Sequence, residues 1–235
     1  MSTSIDLNAD LGEGSPGDTA LFAIVTSANV ACGFHAGDES TMRAACREAV
    51  GHGVAIGAHV SYRDREGFGR RPLEIPSDVV ESETAEQIEA LRACAEAEGA
   101  TVTYLKPHGA LYGRATVDED CANALVAAAA RTGGIRHILC LPGSALLVSA
   151  QEAGLEPVAE AFADRGYLRD GSLIPRGTSG DLLGEDDAAR QAGAIAAAGE
   201  ARSICVHGDS AGAVRLAARI ARELEAAGIV LRSFA

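Results

Sequence analysis

The chain has 235 residues, of which 47% are hydrophobic and 23% are charged, so it is long enough to bury a substantial core. A formal net charge of −13 argues against binding to nucleic acid or to an anionic membrane surface, because both require clustered Lys and Arg side chains. No apolar run reaches the length of a membrane span.

Cysteine usage and the start of the sequence indicate the compartment. The stretch MSTSIDLNADLGEG has no basic region followed by an apolar run, so a secretory signal is not predicted. The cysteines include no Cys-x-x-Cys pair; they are Cys32, Cys46, Cys94, Cys121, Cys140 and Cys205. We therefore expect reduced, mostly buried thiols in a cytoplasmic protein.

Short apolar runs alternate along the chain with longer Ala-rich amphipathic stretches. In order, the runs are SIDLN, SANVAC, GVAIGAH, TVTYLK, RHILCL, PVAEAF and RSICVH, and GIVLRSF is a candidate for a last strand. Helices are predicted between most of them, at Ser40–Gly51, Ser77–Gly99, Asp118–Thr132, Ser144–Gly154, Glu185–Gly199 and Ala211–Ala227. This alternation predicts about seven parallel β/α units in one domain over residues 1–235, an irregular TIM-like barrel, with an open doubly wound sheet as the alternative.

Residues that can carry charge or protons follow six of these runs. They are Asp10, His35, His59, Lys106, Asp164 and His207. Because the carboxyl ends of parallel strands lie on one face, we expect these side chains to surround one cavity, which favours an enzyme over a binding module. For any single residue a plainer interpretation exists, since Asp38, for example, could simply cap the helix that begins near Glu39.

The only lysine of the chain, Lys106, follows a predicted strand and precedes Pro-His-Gly. A lysine presents a compact charge whose pKa shifts readily on burial, whereas the guanidinium of arginine is planar and stays charged. Pro107 favours an extended Lys106, and Gly109 permits close approach of a ligand. We therefore predict a functional Lys106, with an unimportant surface lysine as the alternative.

The stretch DLNADLGEG places Asp6, Asn8 and Asp10 on one side of a strand, followed by Glu13. This pattern fits a carboxylate site in a barrel mouth, and a half-exposed edge strand would give the same pattern. His35 and His59 come directly after strands and could join Asp10 around a divalent metal ion, although the spacing matches no zinc signature.

Two loops have the composition of anion-binding segments. YRDREGFGRRP, residues 62–72, is predicted to be a mobile flap whose arginines capture a carboxylate or phosphate, or else pair with acidic neighbours. HGDSAGAV, residues 207–214, leads into a helix and could bind an anion or simply cap it. The sequence has no P-loop, no dinucleotide-binding glycine motif and no nucleophile elbow.

These motifs resemble the LamB/YcsF lactam-utilisation family, the A subunits of bacterial 5-oxoprolinase. The resemblance covers nearly the whole chain through DLNADLGEG, ANVACGFHAGD, GAHVSYRDREGFGRR, YLKPHGALY, ADRGYLRDGSLIPR and ICVHGD. It implies a seven-stranded β/α barrel like that of glycoside hydrolases and deacetylases, and ATP-dependent ring opening of 5-oxo-L-proline to L-glutamate. It also implies partner subunits B and C, which would handle ATP wholly or partly because this chain has no nucleotide motif.

On this resemblance we expect two sets of site residues. The catalytic set is Asp10, Glu13, His35, His59, Lys106 and His108, with Asp10 or Glu13 as general base and Lys106 stabilising negative charge. The substrate-binding set is Asn8, Asp38, Arg63, Arg70, Tyr112, His207 and Asp209. One alternative is a stand-alone amidohydrolase or deacetylase with a metal held by Asp10, His35 and His59; another is a non-catalytic substrate-binding subunit.

Overall fold

A computed structural model describes residues 4–169, 171–208 and 212–235 of the chain. Seven parallel strands form a closed barrel: β1 Ser4–Leu11, β2 Ser27–Ala31, β3 Ala55–Val60, β4 Val102–Pro107, β5 His137–Cys140, β6 Glu156–Phe162 and β7 Ser203–Val206. The barrel closes because β1 pairs with β2 on one side and with β7 on the other. The predicted barrel is therefore confirmed, and the open sheet is wrong.

A short strand β8, Val230–Leu231, pairs in parallel with the beginning of β1 outside the closed ring. The helices are α1 Asp18–Leu21, α2 Glu39–His52, α3 Ser77–Ala97, α4 Gly109–Val117, α5 Glu119–Thr132, α6 Ala145–Glu152, α7 Glu185–Ala198 and α8 Ala213–Ala226. None of the helices among the described residues is long and apolar enough to cross a membrane.

The sequence predicts six of these helices with ends displaced by a residue or two, and the start predicted at Ala211 lies outside the described residues. It does not predict α1 or α4. Helix α4 has weak helix propensity because Gly113 lies in its interior and Thr116 and Val117 are β-branched. Its backbone nevertheless continues directly from β4, so Lys106 leads into a helix instead of a long loop.

Strand β1 shows how the period of two divides the barrel. Leu7, Ala9 and Leu11 belong to the apolar core. The alternate residues face the barrel interior, where Asn8 and Asp10 contact side chains of other strands. The barrel interior thus contains polar groups together with small apolar clusters, and the main apolar core lies outside it, between strands and helices.

The cysteines are all buried and none forms a disulfide, as the sequence predicts. A larger side chain also crosses the barrel: Tyr104 of β4 is fully buried, and its hydroxyl donates to Asn29 Oδ1 at 2.8 Å. Gly57 makes room for this ring, because a Cβ atom at that position would lie 2.0 Å from Tyr104 Cε2. This glycine is therefore required by close packing and not by its backbone angles.

Candidate active site

The carboxyl ends of the strands surround a cavity of about 410 Å³. Four of the six polar strand endings line it directly: Asp10, His59, Lys106 and His207. The other two lie behind them, since His35 stacks on the ring of His108 with centroids 4.0 Å apart and Asp164 pairs with His207 at 3.0 Å. The structure thus brings all six together at one end of the barrel.

Lys106 lies at the centre of this end with only 2% of its surface exposed. Its Nζ lies 3.0 Å from Glu160 Oε2 and 3.3 Å from Asp10 Oδ1, and it donates to Asn8 Oδ1 at 3.2 Å. Burial alone would lower the pKa of Lys106, but the neighbouring Asp10, Cys205 and Glu160 raise it well above its usual value. Lys106 is therefore a fixed ammonium and not a base.

Asp10 is held in its ionised form by the same arrangement. Burial alone would raise the pKa of this carboxyl, but His59 and Lys106 hold it well below its usual range. Asn29 Nδ2 also donates to Asp10 Oδ1 at 2.8 Å. The result is a carboxylate of fixed orientation on the cavity wall.

A second cluster adjoins Asp10 and consists of three histidines and Glu13. His59 Nε2 lies 3.0 Å from His108 Nδ1, and His35 Nε2 lies 3.0 Å from Glu13 Oε1. Burial lowers the pKa of His35 to about 3, and it lowers the pKa of His108 well below its usual value. These two rings are therefore neutral at pH 7 and offer lone pairs instead of charges.

The donor atoms of Glu13, His35, His59 and His108 all lie within 4.8 Å of one another, a spacing that could hold a metal ion. The metal set predicted from the sequence is Asp10, His35 and His59. Two of its members, His35 and His59, belong to this cluster. Asp10 approaches His59 Nε2 at 3.4 Å, but Glu13 and His108 complete the cluster. Sequence order alone does not show that Glu13 and His108 approach these two histidines.

The loop at residues 62–72 packs against the histidine cluster, whereas its composition predicts a mobile flap. The carbonyl oxygen of Phe68 accepts from His108 Nε2 at 2.9 Å. Phe68 has a φ of 53°, a conformation in which a bulky residue is strained. A Cβ atom on Gly69 would lie 2.2 Å from Ser61 Oγ, so the loop lies tightly on the barrel.

The arginines of this loop divide into different environments. Arg70 lines the cavity. Arg63 does not, because it is exposed, pairs with Glu86 at 3.1 Å and covers the ring of Phe34. The predicted substrate contact of Arg63 is therefore not supported by its position, and its acidic partners on α3 explain why.

Asp38 also lies away from the cavity. It is exposed, and its Oδ1 accepts from the backbone N–H of Thr41 at 2.9 Å, while the Thr41 hydroxyl accepts from the Asp38 backbone. This reciprocal pair is a capping box at the start of α2. The structure thus gives Asp38 the role of a helix cap, the plainer of the two interpretations.

The remaining residues predicted to bind the substrate lie at different depths below the cavity surface. Tyr112 and His207 line the cavity, and the Tyr112 hydroxyl donates to Glu160 Oε1 at 2.8 Å. Asn8 is fully buried beneath it, where Asn29 Nδ2 donates to Asn8 Oδ1 at 2.7 Å. Asp209 lies outside the described residues.

Two residues of the site were not predicted from the sequence. Glu160 is completely buried and pairs with Lys106, and a single Glu inside the apolar run PVAEAF was the signal that could have identified it. Arg176 lines the cavity, and its Nη2 is buried without a hydrogen-bond partner among the described residues. No sequence pattern distinguishes Arg176 from other loop arginines.

Comparison with protein families gives a match to the LamB/YcsF family over residues 5–235. The chain belongs to the LamB/YcsF family. A relative from Streptomyces coelicolor, named as the A subunit of 5-oxoprolinase, is 53% identical over 249 residues, which cover 98% of this chain and 100% of the relative. A relative of the same name from Kocuria rhizophila is 47% identical over 253 residues, covering 99% of this chain and 100% of the relative.

Solved structures agree with this membership of the LamB/YcsF family. The lactam utilization protein from Thermus thermophilus superposes with a TM-score of 0.90 at 37% identity, covering 99% of this chain and 100% of that one. A family 4 carbohydrate esterase from Streptomyces lividans superposes with a TM-score of 0.54 at 14% identity, covering 99% and 93% of the two chains. The second likeness shows a shared barrel fold.

Proposed function

We propose that this chain is the A subunit of a 5-oxoprolinase and that its cavity is where 5-oxo-L-proline is opened to L-glutamate. Relatives that match the chain almost end to end carry that name. In ring opening, water adds to the ring carbonyl carbon, the ring C–N bond breaks and the nitrogen gains a proton. The site therefore needs a proton acceptor and a group that stabilises negative charge on oxygen.

The buried ammonium of Lys106 is the observation that carries this proposal. It lines the cavity, it is permanently charged, and its carboxylate, amide and thiol neighbours fix its position. A preorganised donor in a water-poor site stabilises a developing oxyanion more strongly than the same charge in water. We therefore assign Lys106 to the lactam oxygen.

Asp10 is the better candidate for the general base. It lines the cavity, whereas Glu13 faces His35 in the adjacent cluster. Because Asp10 is ionised, its carboxylate can accept a proton from the attacking water.

The substrate also carries a carboxylate, and we assign it to Arg176 with Arg70 nearby. Both arginines line the cavity. The buried Nη2 of Arg176 has no partner among the described residues, which is unfavourable until an acceptor satisfies it. A guanidinium binds a carboxylate strongly, often through two parallel hydrogen bonds.

ATP and partner subunits complete the proposal. A lactam amide is stabilised by resonance, and phosphorylation of its oxygen would activate the ring carbon toward water. The sequence has no P-loop. We therefore assign phosphoryl transfer wholly or partly to subunits B and C, and we expect the isolated chain not to hydrolyse ATP.

The decisive experiment is an assay of glutamate release from 5-oxo-L-proline with this chain, with subunits B and C, and with all three together. We expect release only in the complete mixture and only with ATP, and we expect Asp10→Asn in this chain to abolish it. Release by B and C alone at the full rate would refute a catalytic role for this chain.

The histidine–glutamate cluster favours a second candidate function, a stand-alone metal-dependent amidohydrolase. The same assay separates the two. Lactam hydrolysis by this chain alone, without ATP and inhibited by a chelator, would support the second candidate and contradict the first.

A further inference from the structure

The hydrogen bonds of two rings fix where their protons lie. His59 Nδ1 is 3.1 Å from the carbonyl oxygen of Lys106, and His108 Nε2 is 2.9 Å from the carbonyl oxygen of Phe68. A carbonyl oxygen can only accept, so both of these nitrogens must carry the hydrogen. In neutral rings the other two nitrogens, His59 Nε2 and His108 Nδ1, therefore carry lone pairs.

Those two lone-pair nitrogens face each other at 3.0 Å. Neither can donate to the other, so the contact is repulsive unless a cation lies beside both. Two carboxylate oxygens, which are also acceptors, lie close to this pair: Asp10 Oδ1 is 3.4 Å from His59 Nε2 and Glu13 Oε1 is 3.8 Å from His108 Nδ1. The cluster thus presents several electron-pair donors to one point.

The spacing is close to that of the ligands around a single ion, because the two ring nitrogens lie 3.0 Å apart and Glu13 Oε1 lies 3.8 Å from His108 Nδ1. Nitrogen and oxygen ligands lie about 2.0–2.2 Å from Zn²⁺, so ligands of a tetrahedral site are separated by roughly 3.3–3.6 Å. Ring nitrogens that bind a metal usually hold their other N–H on a carboxylate or a backbone carbonyl. His59 and His108 both have this arrangement, and the strained backbone of Phe68 directs its carbonyl at His108.

We propose that His59 Nε2, His108 Nδ1 and Glu13 Oε1 bind one divalent transition-metal ion on the wall of the cavity. Two imidazoles and a carboxylate without a thiolate suit zinc and its neighbours, and three protein ligands leave a position open. His59 and His108 line the cavity, so the open position faces the substrate. An ion there would act as a Lewis acid toward a carbonyl oxygen.

His35 has a different part in this site. Its Nδ1 is buried and has no hydrogen-bond partner among the described residues, so no backbone carbonyl orients it as the other two rings are oriented. Its Nε2 is 3.0 Å from Glu13 Oε1 and can donate to that oxygen. We assign His35 as the residue that positions Glu13.

Cobalt titration tests the site without any activity measurement. The full-length chain is stripped with a chelator, dialysed and titrated with Co²⁺, and uptake is followed by calorimetry and by the visible absorption of the bound ion. We expect one equivalent of Co²⁺ per chain, with visible bands that Zn²⁺ abolishes by displacement. Because no substrate or partner is present, this outcome is independent of the proposed function.

Variants decide which residues hold the ion. We expect His59→Gln and His108→Gln to remove the visible bands, and His35→Ala to weaken affinity by about 10–100-fold, as loss of a positioning residue does. His52→Gln is the matched control, since His52 is exposed on α2 and pairs only weakly with Glu48 at 3.9 Å. Circular dichroism establishes that each variant is folded, and Glu13→Gln replaces any histidine variant that is not.

Two results would overturn the proposal. One is a wild-type chain that takes up no Co²⁺, which would show that a shared proton is the cation between the two rings. The other is uptake by both histidine variants with wild-type affinity and spectrum, which would place the bound ion elsewhere.

Discussion

Asp6 and Asp10 lie on the same strand, face the same barrel interior and are both buried, yet their surroundings act on them in opposite directions. Around Asp6, at the amino-terminal end of the barrel, the partners are the hydroxyls of Thr26, Ser27 and Ser203. Burial raises the pKa of Asp6 to about 6, and the hydroxyls only partly offset it. Around Asp10, at the mouth, His59 and Lys106 hold the pKa well below its usual range.

The difference shows which properties of a residue the period-two pattern of a strand predicts and which it does not. The period of two predicts that both side chains point inward, and it treats them as equivalent. Their chemistry is decided by residues of other strands, a lysine on β4 for Asp10 and hydroxyl groups from β7 and the beginning of β2 for Asp6. Of these two buried carboxyl groups, the one held in its ionised form is thus the one beside a cation.

The largest expected effect follows from replacing the ammonium group of Lys106 by a different cation. In Lys106→Arg we expect turnover of the assembled enzyme to fall by about 10²–10³, the loss typical of a missing oxyanion donor. Because the guanidinium is larger than the buried ammonium that it replaces, we also expect stability to fall by about 1–3 kcal/mol. Glutamate release and urea unfolding measure the two effects.

The matched control for Lys106→Arg is Arg131→Lys, a basic residue that is exposed on α5 and pairs with Glu81. It should change neither quantity measurably. Wild-type turnover by Lys106→Arg would show that a positive charge of any shape suffices at the mouth.

An effect of intermediate size is expected for Asp6→Asn and Asp10→Asn. The free energy of unfolding of each variant is measured between pH 3 and pH 8 and compared with that of the wild type. The pKa of Asp6 is about 6 in the folded protein and 3.8 in the unfolded chain. The proton on Asp6 therefore stabilises the fold fully below about pH 3.8. That stabilisation is lost as the pH rises through about 6. The wild type should therefore lose about 3 kcal/mol relative to Asp6→Asn over that range. For Asp10 the sign reverses, because its stabilisation is present above about pH 4 and is lost as pH falls.

The two variants together provide the check. Difference curves of opposite slope would confirm the contrast between the two ends of the barrel. Curves of the same slope would show that the two carboxylates share one environment.

The smallest expected effect concerns two arginines, one at the cavity and one beside it. We expect Arg176→Ala to raise the KM for 5-oxo-L-proline by about tenfold, corresponding to one charge-assisted hydrogen bond. Arg63→Ala should leave KM within about twofold, since its guanidinium faces Glu83 and Glu86. The reverse ranking would restore the sequence-based assignment of Arg63.

The barrel and its polar mouth could be predicted from the sequence because both depend on local periodicity. Apolar runs that alternate with amphipathic helices predict parallel units, and polar residues at strand ends then share one face. Periodicity alone thus predicts that Asp10, His59, Lys106 and His207 lie at the mouth, where they line the cavity.

The rest depends on loop geometry and on contacts between distant strands, which periodicity does not encode. Glu13 and His108 converge with His35 and His59 although the four residues come from separate segments of the chain. Arg63 and Arg70 lie in one loop but on different sides of it. Roles that a nearby partner decides, as for Asp38 at its helix cap, also require the coordinates.

The burial of Lys106 has a consequence for labelling chemistry. It is the only side-chain amine in the chain, and it is 2% exposed. Reagents that acylate lysine can therefore modify a side-chain amine of the folded protein only by entering the cavity that Lys106 lines. The rate of that single modification should fall when a ligand occupies the cavity, which gives a direct measure of occupancy.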